Sequence, residues 1–329
     1  MATKKKKTTK RKKKTFEKVI TLIVAAIILI CGYFTVDKIV EDKTPTYEVP
    51  DGVAQFHFID VGQGDAELIT VGTKAVLIDT GDKAGKDALI KYLDDHNVKE
   101  IEYFIVTHPD ADHFASAAYV LDNYTVKNVI MSHAEKPGET EAGKPTMFGT
   151  FITTLENHNE IHVIDAYEHI GESFYVNGDD LELKILAPLE EKYSSTNDYS
   201  VVVMARYGNN KVLLTGDAEK ESEAEMVEKY KASDLKCDVL KVGHHGSRTA
   251  TTDAFLEKVN PTIAVISCGV EDGRSDGKDN NYGHPHKEVI DRLTEKNITI
   301  YITEYRDDEG VAHRQSIVLE SDGNTITKK

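Results

Sequence analysis

The chain has 329 residues, of which 40% are hydrophobic and 29% charged, with a formal net charge of −16. That balance fits a globular protein long enough for one large core or two small ones, and excludes an intrinsically disordered chain. The charge is split: ten Lys or Arg and one Glu crowd the first 18 residues, about +9, so the remainder carries about −25. Such a sign repels phosphate backbones at long range, yet leaves open a phosphate ester held where metal ions invert the local field.

Residues 19–36 read VITLIVAAIILICGYFTV between Lys18 and Asp37. As a helix they span roughly 27 Å, close to the hydrocarbon thickness of a bilayer. The basic clusters before them belong on the cytoplasmic side by the positive-inside rule, which puts everything after Asp37 outside the cell. No small-residue cleavage site follows, and Ile30 stands before Cys31 where a lipoprotein signal wants a small residue, so an uncleaved anchor is expected. Beside a membrane span the basic cluster reads as a topology signal and headgroup contact, not a nucleic-acid site. The expected organisation is a cytoplasmic basic tail (1–18), one transmembrane helix (19–36), a polar linker holding Pro45 and Pro50 (37–52), and an extracellular folded domain (53–322).

From residue 53 strands and helices alternate densely. Phe56, Phe58 and Val61 mark a first strand, followed by a Gly62/Gly64 turn; AELITV and KAVLIDTG give the next two. DALIKYLDDH has helical spacing, IEYFIVTH is a buried strand, and a helix is expected through HFASAAYVLDNY with Asp112 as its N-cap. Residues 132–180 are less regular. The second half continues with LELKILAP, YSVVVMARYG, KVLLTGD, SEAEMVEKY, CDVLKVG, TTDAFLEKV, TIAVISCG, HKEVIDRL, ITIYIT and RQSIVLE. The pattern calls for two sheets with helices outside. Cys237 and Cys268, in strand contexts, read as small buried apolar residues.

The chemistry concentrates in T-H-P-D-A-D-H, residues 107–113, where four metal-capable side chains fall between a buried strand and a helix. Pro109 keeps His108 out of helical conformation; His108 and Asp110, two apart in extended chain, share one side, and Asp112 and His113 can turn to a second centre. An Asp-rich helix cap with chance histidines is the bland alternative, and the density of the cluster argues against it. A buried strand also ends at Thr215-Gly216-Asp217, whose carboxylate has the two oxygens needed to bridge cations, though strand-end Asp residues are common. His244 and His245 follow another buried strand, ahead of Gly246 and Ser247. His284, opening a helix in Y-G-H-P-H, can give a proton or hydrogen bond to an oxyanion, or simply be a helix-start histidine.

Together L-I-D-T-G (77–81), H-P-D-A-D-H (108–113), T-G-D (215–217) and H-H-G-S (244–247) resemble the metallo-β-lactamase superfamily. F-I-D-V-G-Q-G-D-A (58–66), N-D-Y-S-V-V-V (197–203), L-K-V-G-H-H-G-S and Y-G-H-P resemble the soluble domain of ComEC-type competence proteins. The resemblance covers nearly everything from residue 53 onward. It implies an α+β fold, the αββα sandwich of that superfamily, preceded here by one transmembrane helix. It also implies two divalent metal ions, zinc or manganese, at one edge. His108 and Asp110 would hold one ion; Asp112, His113 and His244 the other; and Asp217 would bridge. Asp79 would support the site, with Asp60, Gln63 and Asp65 in a nearby loop and His245 as a further support or ligand. The sequence departs from H-x-H-x-D-H in having Asp110 for the middle histidine, and Asn197 or Asp198 falls where the third histidine of the first metal would be. The site is therefore oxygen-rich, which favours harder ions such as Mn²⁺ or Mg²⁺ without excluding Zn²⁺.

The implied activity is hydrolysis of a phosphodiester by metal-activated hydroxide, with Asp112, His284 and Ser247 as catalytic groups. DNA or RNA is the first candidate substrate. A small or cell-wall-linked phosphoester suits the acidic domain better, and a non-catalytic surface binding protein is the third reading. With a single span the chain cannot by itself form a DNA translocation pore. Lys241, Arg248 and the basic loop 274–278 are the residues expected to show whether the cleft rim is basic.

Overall fold

The computed structural model describes residues 49–178, 180–270, 282–307 and 309–329. The expected membrane span at 19–36, Cys31 and loop 274–278 lie outside the described residues. Among the described residues, no helix is long and apolar enough to cross a membrane. Glu48–Lys329 form one compact unit.

The first sheet holds β1 (Ala54–Phe58), β2 (Glu67–Val71), β3 (Lys74–Ile78), β4 (Glu100–Val106), β5 (Thr125–Met131), β6 (His162–Asp165), β16 (Ile317–Ser321) and β17 (Ile326–Lys328) in the order β17-β16-β1-β2-β3-β4-β5-β6. The second holds β7 (Ser173–Val176), β8 (Leu181–Ala187), β9 (Val202–Tyr207), β10 (Asn210–Leu214), β11 (Val239–Lys241), β12 (Ile263–Ile266) and β13 (Thr299–Ile302) in the order β13-β12-β11-β10-β9-β8-β7. A hairpin of β14 (Glu304–Arg306) and β15 (Ala312–Arg314) stands apart.

Period-two alternation builds the layers. In β3, Val76 and Ile78 point to the core between the sheets while Ala75 and Leu77 point outward. In β10, Val212 and Leu214 point inward and Leu213 outward. The outer face of the first sheet is covered by α1 (Lys86–Asp95), α3 (Ala117–Asn123) and α4 (Met147–Asn157) through Leu89, Leu93, Val120, Leu121, Phe151 and Leu155. That of the second is covered by α5 (Lys220–Lys229), α7 (Asp253–Val259) and α8 (Lys287–Glu295) through Met226, Phe255, Leu256, Val289 and Leu293. The short helices α2 (Ala111–Phe114) and α6 (Ala232–Leu235) complete the set. This is the αββα sandwich. Cys237 and Cys268 are buried and unpaired.

The helix expected through residues 113–124 is two pieces, α2 and α3. The break has a cause: the His113 carbonyl accepts hydrogen bonds from Thr80 N (2.5 Å) and Thr80 Oγ1 (3.1 Å), and Ala115 N donates to Gly81 O (3.3 Å). Backbone groups that would continue a helix are thus tied to the β3–α1 loop. Asp112 is not the N-cap; that position is Asp110. The stretch 132–180 contains α4, capped where Thr146 Oγ1 accepts from Gly149 N, and strands β6 and β7.

Behind the H-H-G-S loop lies Glu223 of α5, 1% exposed, accepting N–H bonds from Thr251 and Thr252. Burial raises its pKa from 4.5 to about 7, although the Thr252 and Thr251 donors oppose the shift. The fold therefore prefers the protonated acid. The stability this gives is full below pH 4.5 and is lost as pH rises through about 7. The expected size is about 3 kcal/mol, from roughly 1.4 kcal/mol per pH unit. Glu223→Gln, neutral at every pH, should flatten that limb when urea midpoints of variant and wild type are compared between about pH 5 and 8. Parallel curves would refute the assignment.

Candidate metal centre

The site is assembled from loops at the ends of β1, β3, β4, β10, β11 and β12. Ligand-binding groups gather at the carboxyl ends of parallel strands in sheets of this kind, and the pairs β3/β4 and β10/β11/β12 are parallel. Gly64 is required for the approach of two of these loops: at φ +136° it brings the β1–β2 loop so close that a Cβ would lie 2.4 Å from the Asp112 carbonyl.

Asp217 is the hub. Its Oδ1 lies 3.2 Å from His113 Nε2, and its Oδ2 lies 3.4 Å from His245 Nε2 and 3.6 Å from His244 Nε2. Asp112 Oδ2 is 3.3 Å from His245 Nε2. His108 Nε2 faces the same centre and sits 4.0 Å from Asp110 Oδ2. The ligand atoms of His108, His113 and Asp217 lie within 4.8 Å of one another, as do those of Asp112, His113 and His245, and those of Asp65, Asp217 and His245. Four of these atoms, His108 Nε2, His113 Nε2, His245 Nε2 and Asp217 Oδ1, are buried and make no hydrogen bond. Buried polar atoms normally find partners. Converging imidazole nitrogens and carboxylate oxygens left open in this way fit divalent cations.

The surroundings set the tautomers. Asp79 Oδ2 accepts from His113 Nδ1 at 2.7 Å and from Thr107 Oγ1 at 2.6 Å, while its Oδ1 accepts from Thr107 N at 2.9 Å. The Ser267 carbonyl accepts from His245 Nδ1 at 2.9 Å. Both contacts leave Nε2 as the lone-pair atom facing the centre, the arrangement metal-binding histidines use. His244, His245 and Asp79 hold left-handed backbone, at φ 47°, 52° and 55°. Conformations this sparsely populated persist only where surrounding bonds over-determine them.

Burial and then the charge on His113 hold His108 down to about 3. For His245 burial acts downward, but the Asp217 and Asp65 carboxylates outweigh it and lift the ring to about 10. Burial acts upward on Asp217, but the charges on His245 and then His113 outweigh it and keep this carboxyl well below the usual carboxylate range.

Several expected residues stand elsewhere. His245, expected as a further support or ligand, points Nε2 into the cluster. His244, expected as a ligand, meets Asp217 more distantly and gives Nδ1 to Glu219 Oε1 at 2.8 Å. Asn197 reaches His244 Nδ1 (3.3 Å), and Asp198 accepts N–H bonds from Glu219 and Ser222 at the start of α5, so neither supplies a third ligand beside His108. Ser200 takes that neighbourhood, with Oγ 3.3 Å from His108 Nδ1 and accepting from Asp217 N. Ser247 Oγ pairs with Thr249 Oγ1 (2.8 Å) and braces its own loop. Asp60 Oδ1 accepts from Gly62 N, and its carboxyl pairs with Glu304 outside the cluster. Asp110 Oδ1 is held by Lys136 at 2.5 Å. His284 stands at the rim, its ring 5.3 Å from that of His244 and 6.0 Å from that of His245.

Lys241 is no rim residue. It is 1% exposed and pairs with Asp65, itself fully buried, whose other oxygen is 3.2 Å from His245 Nδ1. A lysine inside the otherwise apolar run V-L-K-V was the available signal for a buried partner. Glu67, beside Asp65, is driven well above its ordinary pKa by burial and then by the Asp65 charge. Arg248 is exposed and lies 3.8 Å from Glu288.

A model of the metallo-β-lactamase superfamily matches residues 59–270. The chain belongs to that superfamily, and its candidate ligands support a metal-dependent hydrolase. It is 30% identical over 266 residues to ComE operon protein 3 of Bacillus subtilis (strain 168), covering 75% of this chain and 31% of that protein. It is 32% identical over 272 residues to Recombination protein 2 of Haemophilus influenzae, covering 81% of this chain and 29% of that one. The chain thus spans about a third of the length of these relatives. The crystal structure of CmlA, a diiron β-hydroxylase from Streptomyces venezuelae, aligns with a TM-score of 0.50 at 12% identity over 83% of this chain and 55% of that one, a likeness of fold alone.

Two substitutions separate support from ligation. Asp79→Asn should keep the fold yet lower metal affinity by about 10- to 100-fold, the usual cost of losing the carboxylate behind a ligating histidine. Lys241→Met leaves Asp65 buried without its cation and should cost about 3–5 kcal/mol. Metal titration by calorimetry reads the first and urea denaturation the second; unchanged affinity in Asp79→Asn would remove Asp79 from its assigned part.

Proposed function

We propose that this chain is a phosphodiesterase acting on nucleic acid, anchored by residues 19–36 with its folded domain outside the cell and its N-terminus in the cytoplasm. The observation that carries the enzymatic reading is the set of four buried, unbonded ligand atoms around Asp217. The names of the relatives, a competence operon protein and a recombination protein, support nucleic acid as the substrate class.

Two divalent ions bound there, manganese or zinc, would supply Lewis acidity and an activated water. The protein's own part is positional. Asp217 presents one oxygen to His113 and the other to His245, so it spans both halves of the centre. Asp79 and the Ser267 carbonyl hold two imidazoles with Nε2 inward. His284 Nδ1 is buried without a hydrogen-bond partner, and burial followed by the charges of His245 and His244 pushes this ring down to about 3. A neutral imidazole at the rim is suited to hydrogen-bond a phosphoryl oxygen without adding a competing positive charge.

A second reading, hydrolysis of a small or wall-linked phosphoester, is favoured by one observation: beyond the basic tail the chain carries about −25, which gives a polyanion no long-range attraction.

A fragment starting at about residue 45, which holds the compact unit Glu48–Lys329, should hydrolyse plasmid DNA and bis-p-nitrophenyl phosphate when supplied with Mn²⁺ or Zn²⁺. His113→Ala, which removes a candidate ligand and not merely the group behind it, should lower the rate by at least about 100-fold, the upper end of the cost of losing an outer-shell partner. Equal rates for variant and wild type would end the catalytic reading. Cleavage of bis-p-nitrophenyl phosphate with intact plasmid would favour the small-ester reading. Protease added to intact cells should digest the folded domain; a protected domain would reverse the proposed orientation.

A further inference from the structure

The two halves of the metal centre are not built alike. On one side stand Asp112, His113 and His245, whose ligand atoms lie within 4.8 Å of one another. His113 has the Asp79 carboxylate behind it at 2.7 Å, and the Ser267 carbonyl accepts from His245 Nδ1 at 2.9 Å. On the other side stands His108, whose Nε2 is buried without a hydrogen bond. Behind it are two hydroxyls, Thr107 Oγ1 at 3.1 Å and Ser200 Oγ at 3.3 Å from Nδ1. A full negative charge behind a ligating imidazole makes it a stronger donor than a neutral hydroxyl does.

The carboxylate next to His108 is Asp110, and a cation already holds it. Asp110 Oδ1 pairs with Lys136 Nζ at 2.5 Å, while Oδ2 stays 4.0 Å from His108 Nε2. Among the described residues, Asp110 belongs to none of the groups whose ligand atoms come within 4.8 Å of one another. The loop that carries Lys136 follows β5 and is pinned on both flanks. Pro137 O accepts from Thr146 Oγ1 at 2.6 Å, and Gly138 O accepts from Thr146 N at 2.9 Å, at the start of α4. Gly149 of α4 leaves no room for a Cβ against the Gly138 carbonyl, so the loop lies directly on the helix. Upstream, the Glu191 carbonyl, which can only accept, takes a hydrogen bond from His133 Nε2 at 2.9 Å. The backbone thus delivers Lys136 to Asp110.

We infer that Lys136 is a built-in cation that competes with the second metal ion for Asp110, so that the two ions bind in sequence. The inference rests on the two-ion phosphodiesterase reading and adds how that centre is regulated. The ion at Asp112, His113 and His245 binds first. The ion beside His108 binds where metal is plentiful enough to displace the lysine. An ammonium and a divalent ion on one carboxylate repel each other, so each weakens the hold of the other. The side chains of Lys136 and Asp110 are 37% and 33% exposed. Water screens such a pair, and the ammonium can swing out to solvent at small cost. The contact is therefore a weak lock, which a divalent ion opens.

The test is a calorimetric titration of Mn²⁺ into the full-length chain, first stripped of metal with EDTA that is then removed. The wild type should take up two ions, the second at least about tenfold more weakly, the scale set by a carboxylate behind a ligating histidine. Lys136→Met should tighten the second step at least about threefold, the order of what an exposed ion pair is worth, and leave the first step unmoved. Lys136→Arg, which keeps the charge, should match the wild type. In Asp110→Asn, where the lysine has no carboxylate to hold, adding Lys136→Met should change neither step. Two equal steps in the wild type overturn the inference, as does uptake of fewer than two ions by both wild type and Lys136→Met. A second step weakened by Lys136→Met would mean that the lysine orients Asp110 for the ion, and overturns it too. So does the same tightening in the Asp110→Asn background, which would be charge acting at a distance. Unequal steps that respond as stated, in a chain that hydrolyses no phosphodiester, support the inference and sink the phosphodiesterase reading; hydrolysis with steps indifferent to Lys136 does the reverse.

Discussion

The structure is organised around buried negative charge that must be compensated. Asp65, Glu67, Asp79 and Asp217 are each at most 3% exposed, gathered where loops from both sheets meet, and the buried cationic side chain among them is Lys241. Carboxylates are excluded from protein interiors unless paired or bound to metal. Lys241 answers Asp65, burial and the Asp65 charge push Glu67 toward its neutral form, and what remains around Asp217 and Asp112 faces three imidazoles, His108, His113 and His245. Without a cation His113 and His245 are lifted above their ordinary values by the carboxylates around them, while His108 is held down by burial and by the charge on His113. Metal and proton therefore compete for the same nitrogens.

That requirement explains backbone features that are otherwise costly. Three site residues hold left-handed conformation without being glycine, each at a cost on the order of 1–3 kcal/mol. His245 is fixed there by the bond from Nδ1 to Ser267, and Asp79 by the hydroxyl and amide of Thr107 and by His113. The break between α2 and α3 belongs to the same economy: the groups that leave the helix hold the Thr80–Gly81 loop, and so Asp79, against the H-P-D-A-D-H segment.

Strand and helix positions were legible in the sequence wherever burial has a period. Val76 and Ile78 against Ala75 and Leu77 sort to opposite faces, and motif spacing carried the family and most of the centre. What was not legible depends on torsion angles and on pairings across the sheets. Adjacent histidines 244 and 245 look interchangeable in sequence; only the left-handed turn decides that His245 enters the cluster and His244 meets Glu219. Asn197 lies in the right segment for a missing ligand, but the short turn that holds it aims it at His244 and turns Asp198 to cap α5. Helix α4 was legible by the same rule of period, since Met147, Phe148, Phe151, Ile152 and Leu155 recur at helical spacing. Lys241 and Asp65 are 176 positions apart, so nothing local announces the pair.

The acidic charge of the chain and a phosphate-binding centre are compatible because they act over different distances. Exposed charge is screened beyond roughly 8–10 Å at physiological ionic strength, so the surface governs encounter and leaves the geometry within the site untouched. On the proposed reading, bound cations would attract a phosphoester only at short range, while the acidic chain around the centre slows the approach of a nucleic acid without preventing its hydrolysis.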